Sequence, residues 1–188
     1  VKHLVIVVLL ALSSHAAAQD FDYIKRDTRE ASRDATLAQY FPALTASEWS
    51  IVGPFDNRGR NKLGVALPPE DGVDLDATYE GKGGATVAWT TLPGTEWPRI
   101  NLKRFDSNDD AIAYLYREVS VDDAVEVTFE AGSDDGLMLW INGRLVIDAD
   151  QMRGFNIDQH RITVPLRAGV NTVLAKVSQG AGGWEFQL

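Results

Sequence analysis

Between Ala124 and Asp148 the chain reads AVEVTFEAGSDDGLMLWINGRLVID, and few folds can accommodate that order of residues. Val125, Val127, Phe129 and Ala131 alternate with Glu126, Thr128 and Glu130, the period-two pattern of a strand with one wetted face. Gly-Ser-Asp-Asp-Gly then gathers turn formers, and the apolar run Leu137 to Ile141 has the length of a buried strand. Asn142-Gly143 follows, the dipeptide suited to a type I′ hairpin because both central residues need positive φ. Arg144 to Asp148 returns as the partner strand. The expectation is three antiparallel strands in succession, two joined by an acidic loop and two by a tight hairpin.

The rest of the chain extends that pattern. Trp49 to Asn57 reads as a strand running into a Gly-Pro turn, and Ala85 to Leu92 as an alternating strand. Ala111 to Val119 places Ile112, Tyr114 and Tyr116 on one face and Ala113, Leu115 and Arg117 on the other. Arg161 to Leu166, Thr172 to Ser178 and Trp184 to Leu188 complete a set of nine or ten short strands. This is the signature of a mainly β protein, an antiparallel jelly-roll β-sandwich over residues 46–188. Gly81-Lys82-Gly83-Gly84 reads as a turn, because a phosphate-binding loop needs a helix after it and here a strand follows. The stretch from Asn57 to about Asp76 has no hydrophobic period, which marks it for functional or lid-like use.

Ahead of the sandwich, Lys2-His3, the apolar run Leu4 to Leu12 and Ala16-Ala17-Ala18 have the order of a secretory signal peptide over residues 1–18. The apolar run is too short to span a bilayer as a helix, so no membrane insertion of the mature chain is expected. Absence of cysteine excludes a lipoprotein anchor, and the address is secreted or periplasmic. Residues 19–45 contain the one convincing helix, Phe21 to Phe41. Its stripe of Ile24, Thr28, Ala31, Ala35 and Ala38 is poor in large side chains, as befits a short N-terminal helix or spacer.

The chain carries a net charge of −9, and removal of the leader deletes one lysine and no acid. Such a surface repels phosphate backbones, so nucleic acid is excluded as a partner. Past the leader the sole histidine is His160 and there is no cysteine, which excludes thiol nucleophiles and zinc sites built on two or more His or Cys ligands. No Gly-x-Ser-x-Gly elbow presents a serine to that histidine. The chain is therefore read as non-enzymatic.

Two features suit ligand binding. Asp134-Asp135 sets two carboxylates at a loop, chemistry fit for a hard cation such as Ca²⁺. It equally suits a plain turn, since aspartates bond their own backbone and Asp109-Asp110 and Asp122-Asp123 also precede strands. Five tryptophans are the second feature. Trp49, Trp89 and Trp140 lie inside strand patterns and read as core. Trp97, in a Glu-Trp-Pro loop, and Trp184, after Gly182-Gly183, are the candidates for exposed rings that stack on the C–H faces of sugars. Arg153 and Gln179, read as loop residues, could hydrogen-bond sugar hydroxyls.

The Ser-Asp-Asp-Gly loop, the aromatic strand and the Asn-Gly hairpin resemble protective-antigen-type glycan-binding domains. The stretch also looks like the jelly-roll sugar-binding domain of β-galactosidase and β-glucuronidase enzymes. There a strand ending in Asn-Gly precedes a Leu-x-x-Gly-x-Asn turn, here Leu166 to Asn171. Both resemblances are of the galactose-binding-domain-like type and cover roughly Val125 to Leu188. In the first, the aspartate pair holds calcium, which in turn coordinates sugar hydroxyls. The string from Trp49 to Trp89 resembles a segment of exported bacterial multidomain proteins, which implies an accessory module. The expected function is thus an exported non-catalytic carbohydrate-binding module, calcium-assisted through Asp134 and Asp135. The alternatives are an accessory domain that binds another extracytoplasmic protein and no sugar, and, more weakly, a small glycan-active enzyme.

Overall fold

The computed structural model describes residues 44–93, 99–106 and 108–188. The expected signal peptide, the helix between Phe21 and Phe41, and Trp97 lie outside the described residues. Thirteen strands are described. They are β1 (Leu44–Ala46), β2 (Trp49–Asp56), β3 (Thr78–Glu80), β4 (Thr86–Ala88), β5 (Thr90–Leu92), β6 (Ile100–Asn101) and β7 (Ala111–Val121). After them come β8 (Val125–Asp134), β9 (Leu137–Ile141), β10 (Arg144–Ala149), β11 (His160–Leu166), β12 (Gly169–Gln179) and β13 (Glu185–Gln187). Every pairing is antiparallel.

A seven-stranded sheet has the order β10-β9-β12-β7-β2-β5, with β1 pairing the far end of β7. A four-stranded sheet, β11-β8-β13-β6, faces it, and β3-β4 form a separate ribbon. The chain crosses between the two large sheets at β5–β6, β6–β7, β7–β8, β8–β9, β10–β11, β11–β12 and β12–β13, the habit of a jelly-roll sandwich.

Alternation along the long strands builds the core. Ala113 and Leu115 of β7, Leu137, Leu139 and Ile141 of β9, and Val173, Ala175 and Val177 of β12 point between the sheets. There they meet Val127 and Ala131 of β8 and Phe186 of β13. The opposite face of the seven-stranded sheet is covered as well. Val52, Phe55, Ile112 and Tyr114 pack there with Val87 and Trp89, and Leu67 and Val73 of the long connection close over them. The unpatterned stretch from Asn57 to Asp76 is therefore a cover for that face, fastened where the ammonium of Lys176, fully buried in β12, reaches Glu70 and the Val65 carbonyl.

Several local expectations are refined. Gly53-Pro54 does not end β2. The strand runs through it with a register shift between Val52 and Phe55, a bulge that lets proline sit where no ladder donor is needed. The alternating stretch from Ala85 to Leu92 is split at Trp89, so that β4 pairs β3 while β5 pairs β2. Most consequentially, β8 and β9 do not pair. Gly132, Ser133 and Asp134 continue β8 opposite β13, and the chain then turns a corner into the other sheet. A short acidic link looks like a hairpin in sequence, yet both strands are buried on one face and find better partners across the sandwich.

The Asn-Gly hairpin stands as expected. Asn142 and Gly143 have φ of 52° and 75°, and Arg144 pairs Ile141 directly. The Asn142 side chain also ties this turn to the next one. Its Nδ2 donates to Asn171 Oδ1 (2.8 Å), and its Oδ1 accepts from the Thr172 amide (3.0 Å). A Cβ on Gly143 would meet nothing within 4 Å, so Gly143→Val tests backbone conformation alone. It is expected to lower stability by about 1–3 kcal/mol in urea unfolding.

Candidate functional site

The corner between β8 and β9 is where two adjacent aspartates enter a nearly dry environment. They are not at an exposed loop tip: Asp134 is 9% exposed and Asp135 7%. The peptide bond between them is cis. Their surroundings differ completely.

Asp135 is a brace. Its Oδ2 accepts from the Gly180 amide (2.7 Å), its Oδ1 accepts from the Arg153 amide (2.9 Å), and its own amide donates to the Ser178 carbonyl (2.9 Å). The carboxylate thus joins the start of β9, the end of β12 and the loop before β11. Hydrogen bonds to a buried carboxylate are of the stronger kind, so this oxygen pair is committed to holding the corner.

Asp134 has no such support. By alternation it shares the outer face of the four-stranded sheet with Glu130, and Glu185 stands opposite it in register on β13. One main-chain hydrogen bond from Phe155 favours its charged form. Burial, and then the negative charges of Asp135 and Glu185, outweigh that bond and push its pKa up to about 6. A Cβ on Gly183 would lie 2.5 Å from Asp134 Oδ2, so glycine there gives the carboxylate its room. Glu185 pairs with Arg99 (3.1 Å), whose guanidinium also lies over the Phe155 ring at 5.5 Å. The result is an acid held against other acids, unfavourable to folding and suited to meeting something that is not part of the fold.

The other predicted site residues are dispersed. Arg153 is half-buried and internally employed: it donates to Ser133 Oγ (2.8 Å) and the Asp135 carbonyl (3.3 Å), and its Nη2 lies 2.8 Å from His160 Nε2. Burial lowers its pKa, against the pull of Asp135. The pKa of His160, at the start of β11, is likewise lowered, by burial and then by the charge of Arg153. Gln179 is not a loop residue; it is the last residue of β12 and fully buried. Neither side-chain amide atom of Gln179 has a partner among the described residues. Trp184 is not exposed either. It is fully buried against Phe105 at 5.7 Å, because the Gly182-Gly183 turn folds it under the sheet edge. A ring so placed cannot stack on a sugar. Of the named residues the corner brings together Asp134, Asp135 and Arg153, and adds Glu185, Phe155 and Gly183. These three carry no local sequence signal, since only the β8–β13 register and the loop before β11 bring them to Asp134.

A single divalent cation fits the charge at Asp134, where like charges repel. The donor set is small, because no group of three or more His, Cys, Asp or Glu side chains converges among the described residues. Carboxylate oxygens would then supply a minority of the six to eight that calcium takes, the rest coming from main chain, water or ligand.

No family model matches this chain, and no curated protein does. Solved structures that resemble it include a β-glucosidase from Kluyveromyces marxianus in complex with glucose, with TM-score 0.46 and 16% identity over 73% of this chain. A GH31 α-xylosidase from Xanthomonas citri has TM-score 0.41 and 15% identity over 77%. The match spans only 16% and 15% of those chains. Likeness at this level carries no inference about ligand or activity. Among the described residues no helix is long and apolar enough to cross a membrane.

Proposed function

We propose that the protein is an exported, non-catalytic carbohydrate-binding module that engages sugar hydroxyls at the Asp134 corner with the help of calcium. The observation that carries this reading is Asp134 itself, a nearly buried carboxylate with a raised pKa, one main-chain hydrogen bond and acidic neighbours. Burying a charge without a partner is costly, and a protein retains such a group where a ligand compensates it. Asp134 would hold the cation, with Glu185 adding negative charge nearby and Asp135 keeping the corner rigid. When bound, calcium supplies a Lewis-acidic point at which vicinal hydroxyl oxygens are ligands. The half-buried Phe155 ring, held by Arg99, offers an apolar surface to the sugar's C–H face.

The reading as a binder and not an enzyme is supported by His160, which is tied to Arg153 and is no free base. Export rests on the leader-like residues 1–18. A second reading, binding of another extracytoplasmic protein, is favoured by Met152 and Ile157, which are 65% and 53% exposed on the loop that covers Asp134. A glycan array probed with calcium and again with chelator separates them. The sugar reading expects a restricted set of glycans bound with calcium and lost with chelator. Calcium-independent silence across the array, with binding to an exported protein, favours the second.

A further inference from the structure

The outer face of the seven-stranded sheet carries a groove of about 300 Å³ between the covering connection and the β9–β10 hairpin. Its floor is a row across three neighbouring strands: Trp140 of β9 is opposite Leu174 of β12, which is opposite Tyr116 of β7. Adjacent strands lie about 4.8 Å apart, so the row is about 10 Å long, the width of a sugar ring or two. Trp89 meets the Tyr116 ring at 69° with centroids 6.4 Å apart, which fixes that end of the platform.

One wall presents an ordered carboxylate. Glu70 Oε1 takes three donors: the Lys176 ammonium (2.8 Å), the Leu67 amide (3.3 Å) and the Tyr114 hydroxyl. Lys176 and Tyr114 are both fully buried. No hydrogen bond to Oε2 is found among the described residues, and Glu70 lines the groove, so its carboxylate can accept one more donor there. Thr172 stands on the opposite side with a hydroxyl that both donates and accepts.

These parts select a ligand class. An aromatic platform beside a carboxylate suits either a polyol ring or an organic cation. The charge of Glu70 is already balanced by Lys176, which leaves little net field to attract a cation. None of the described lining residues is lysine or arginine, which leaves nothing to hold a phosphate, sulfate or uronate. We infer that the groove is a second binding site, for an uncharged sugar unit that stacks on Trp140 and donates a hydroxyl to Glu70 Oε2. It shares with the Asp134 proposal only the class of ligand. The two lie on outer faces of opposite sheets, and nothing in the groove calls for a metal.

The test is a titration of the ¹⁵N-labelled full chain, followed by amide and indole N–H resonances. The probes are cellohexaose, xylohexaose, mannohexaose and tetramethylammonium, each with calcium and with chelator. The expected result is saturable shifts of the Trp140 indole and the Thr172 and Gly143 amides with at least one sugar, equal in calcium and in chelator. Trp140→Ala should weaken that sugar about tenfold, and Trp140→Phe should largely preserve it. Sugar shifts confined to Phe155 and Gly183 would overturn the groove and leave the Asp134 reading standing. Groove shifts with no response at Phe155 would do the reverse. Silence of Trp140 toward every sugar, or a response to tetramethylammonium alone, also overturns the inference.

Discussion

Replacing Glu70 with alanine is expected to lower stability by about 3–5 kcal/mol, whereas Lys176→Met should cost about 1–2 kcal/mol. The asymmetry follows from burial. Lys176 is fully buried, and its ammonium has Glu70 Oε1 at 2.8 Å, the Val65 carbonyl at 2.6 Å and the Tyr114 ring at 5.6 Å. Without Glu70 that charge is stranded with one carbonyl and one ring face. Glu70, by contrast, is 17% exposed and keeps the Tyr114 hydroxyl and Leu67 amide when Lys176 is gone. Burial already lowers the Lys176 pKa, and Glu70 opposes that. In the Glu70→Ala variant the folded-state pKa falls further below the ordinary 10.5, so the unfolded chain binds more protons and stability rises with pH. The deficit should therefore shrink as pH is raised toward that value. Urea unfolding of the two variants across pH measures both effects, and equal costs would refute the account of this pair.

The second large effect belongs to Asp135. Asp135→Ala leaves the Gly180 and Arg153 amides without acceptors in a nearly dry corner and should cost about 3–4 kcal/mol. Asp135→Asn keeps one acceptor but turns an NH₂ group toward the other amide, so about half that loss is expected. Asparagine at both aspartates is consequently no neutral way to remove charge while preserving the turn. Urea midpoints of the single variants check the ranking; an Asp135→Asn as stable as the parent would remove the brace.

What the sequence makes legible is local. Asn142-Gly143 and the Leu166–Asn171 turn are specified by their own residues, because positive φ and side-chain-to-backbone bonds belong to single turns. Asn171 shows it well: its side chain bonds both Arg167 and Gly169 within the turn. Pairings over long separation are not legible. Glu70 meets Lys176 and Asp134 meets Glu185 only because two sheets close on one another. Gln179 and Trp184 follow the same logic. Glutamine and a glycine-flanked tryptophan look like surface residues, and both are buried by the crossing from β12 to β13. The Asp134-Asp135 pair is legible as a site but not as two different residues, since which carboxylate meets amides and which meets other acids depends on the corner. Trp140 is hidden for another reason. Its run, Leu137 to Ile141, is continuously apolar in sequence, and in the fold Met138 is buried on the outer face while Trp140 is only half-buried.

The claim that Asp134 is kept for a ligand at the expense of the fold is tested most directly by the melting temperature of Asp134→Asn against the parent, with calcium and with chelator. The parent carboxyl has a folded-state pKa of about 6 against an ordinary 3.8. The folded state therefore holds the proton more tightly, and stability is lost as pH rises between those values. In chelator above pH 6 the variant should be more stable by about 1–3 kcal/mol, an advantage that fades below about pH 4. Calcium should raise the melting temperature of the parent and leave the variant unmoved, because only a ligand that binds the native state stabilises it. A variant that melts below the parent in chelator at neutral pH, or that responds to calcium as the parent does, would contradict the account.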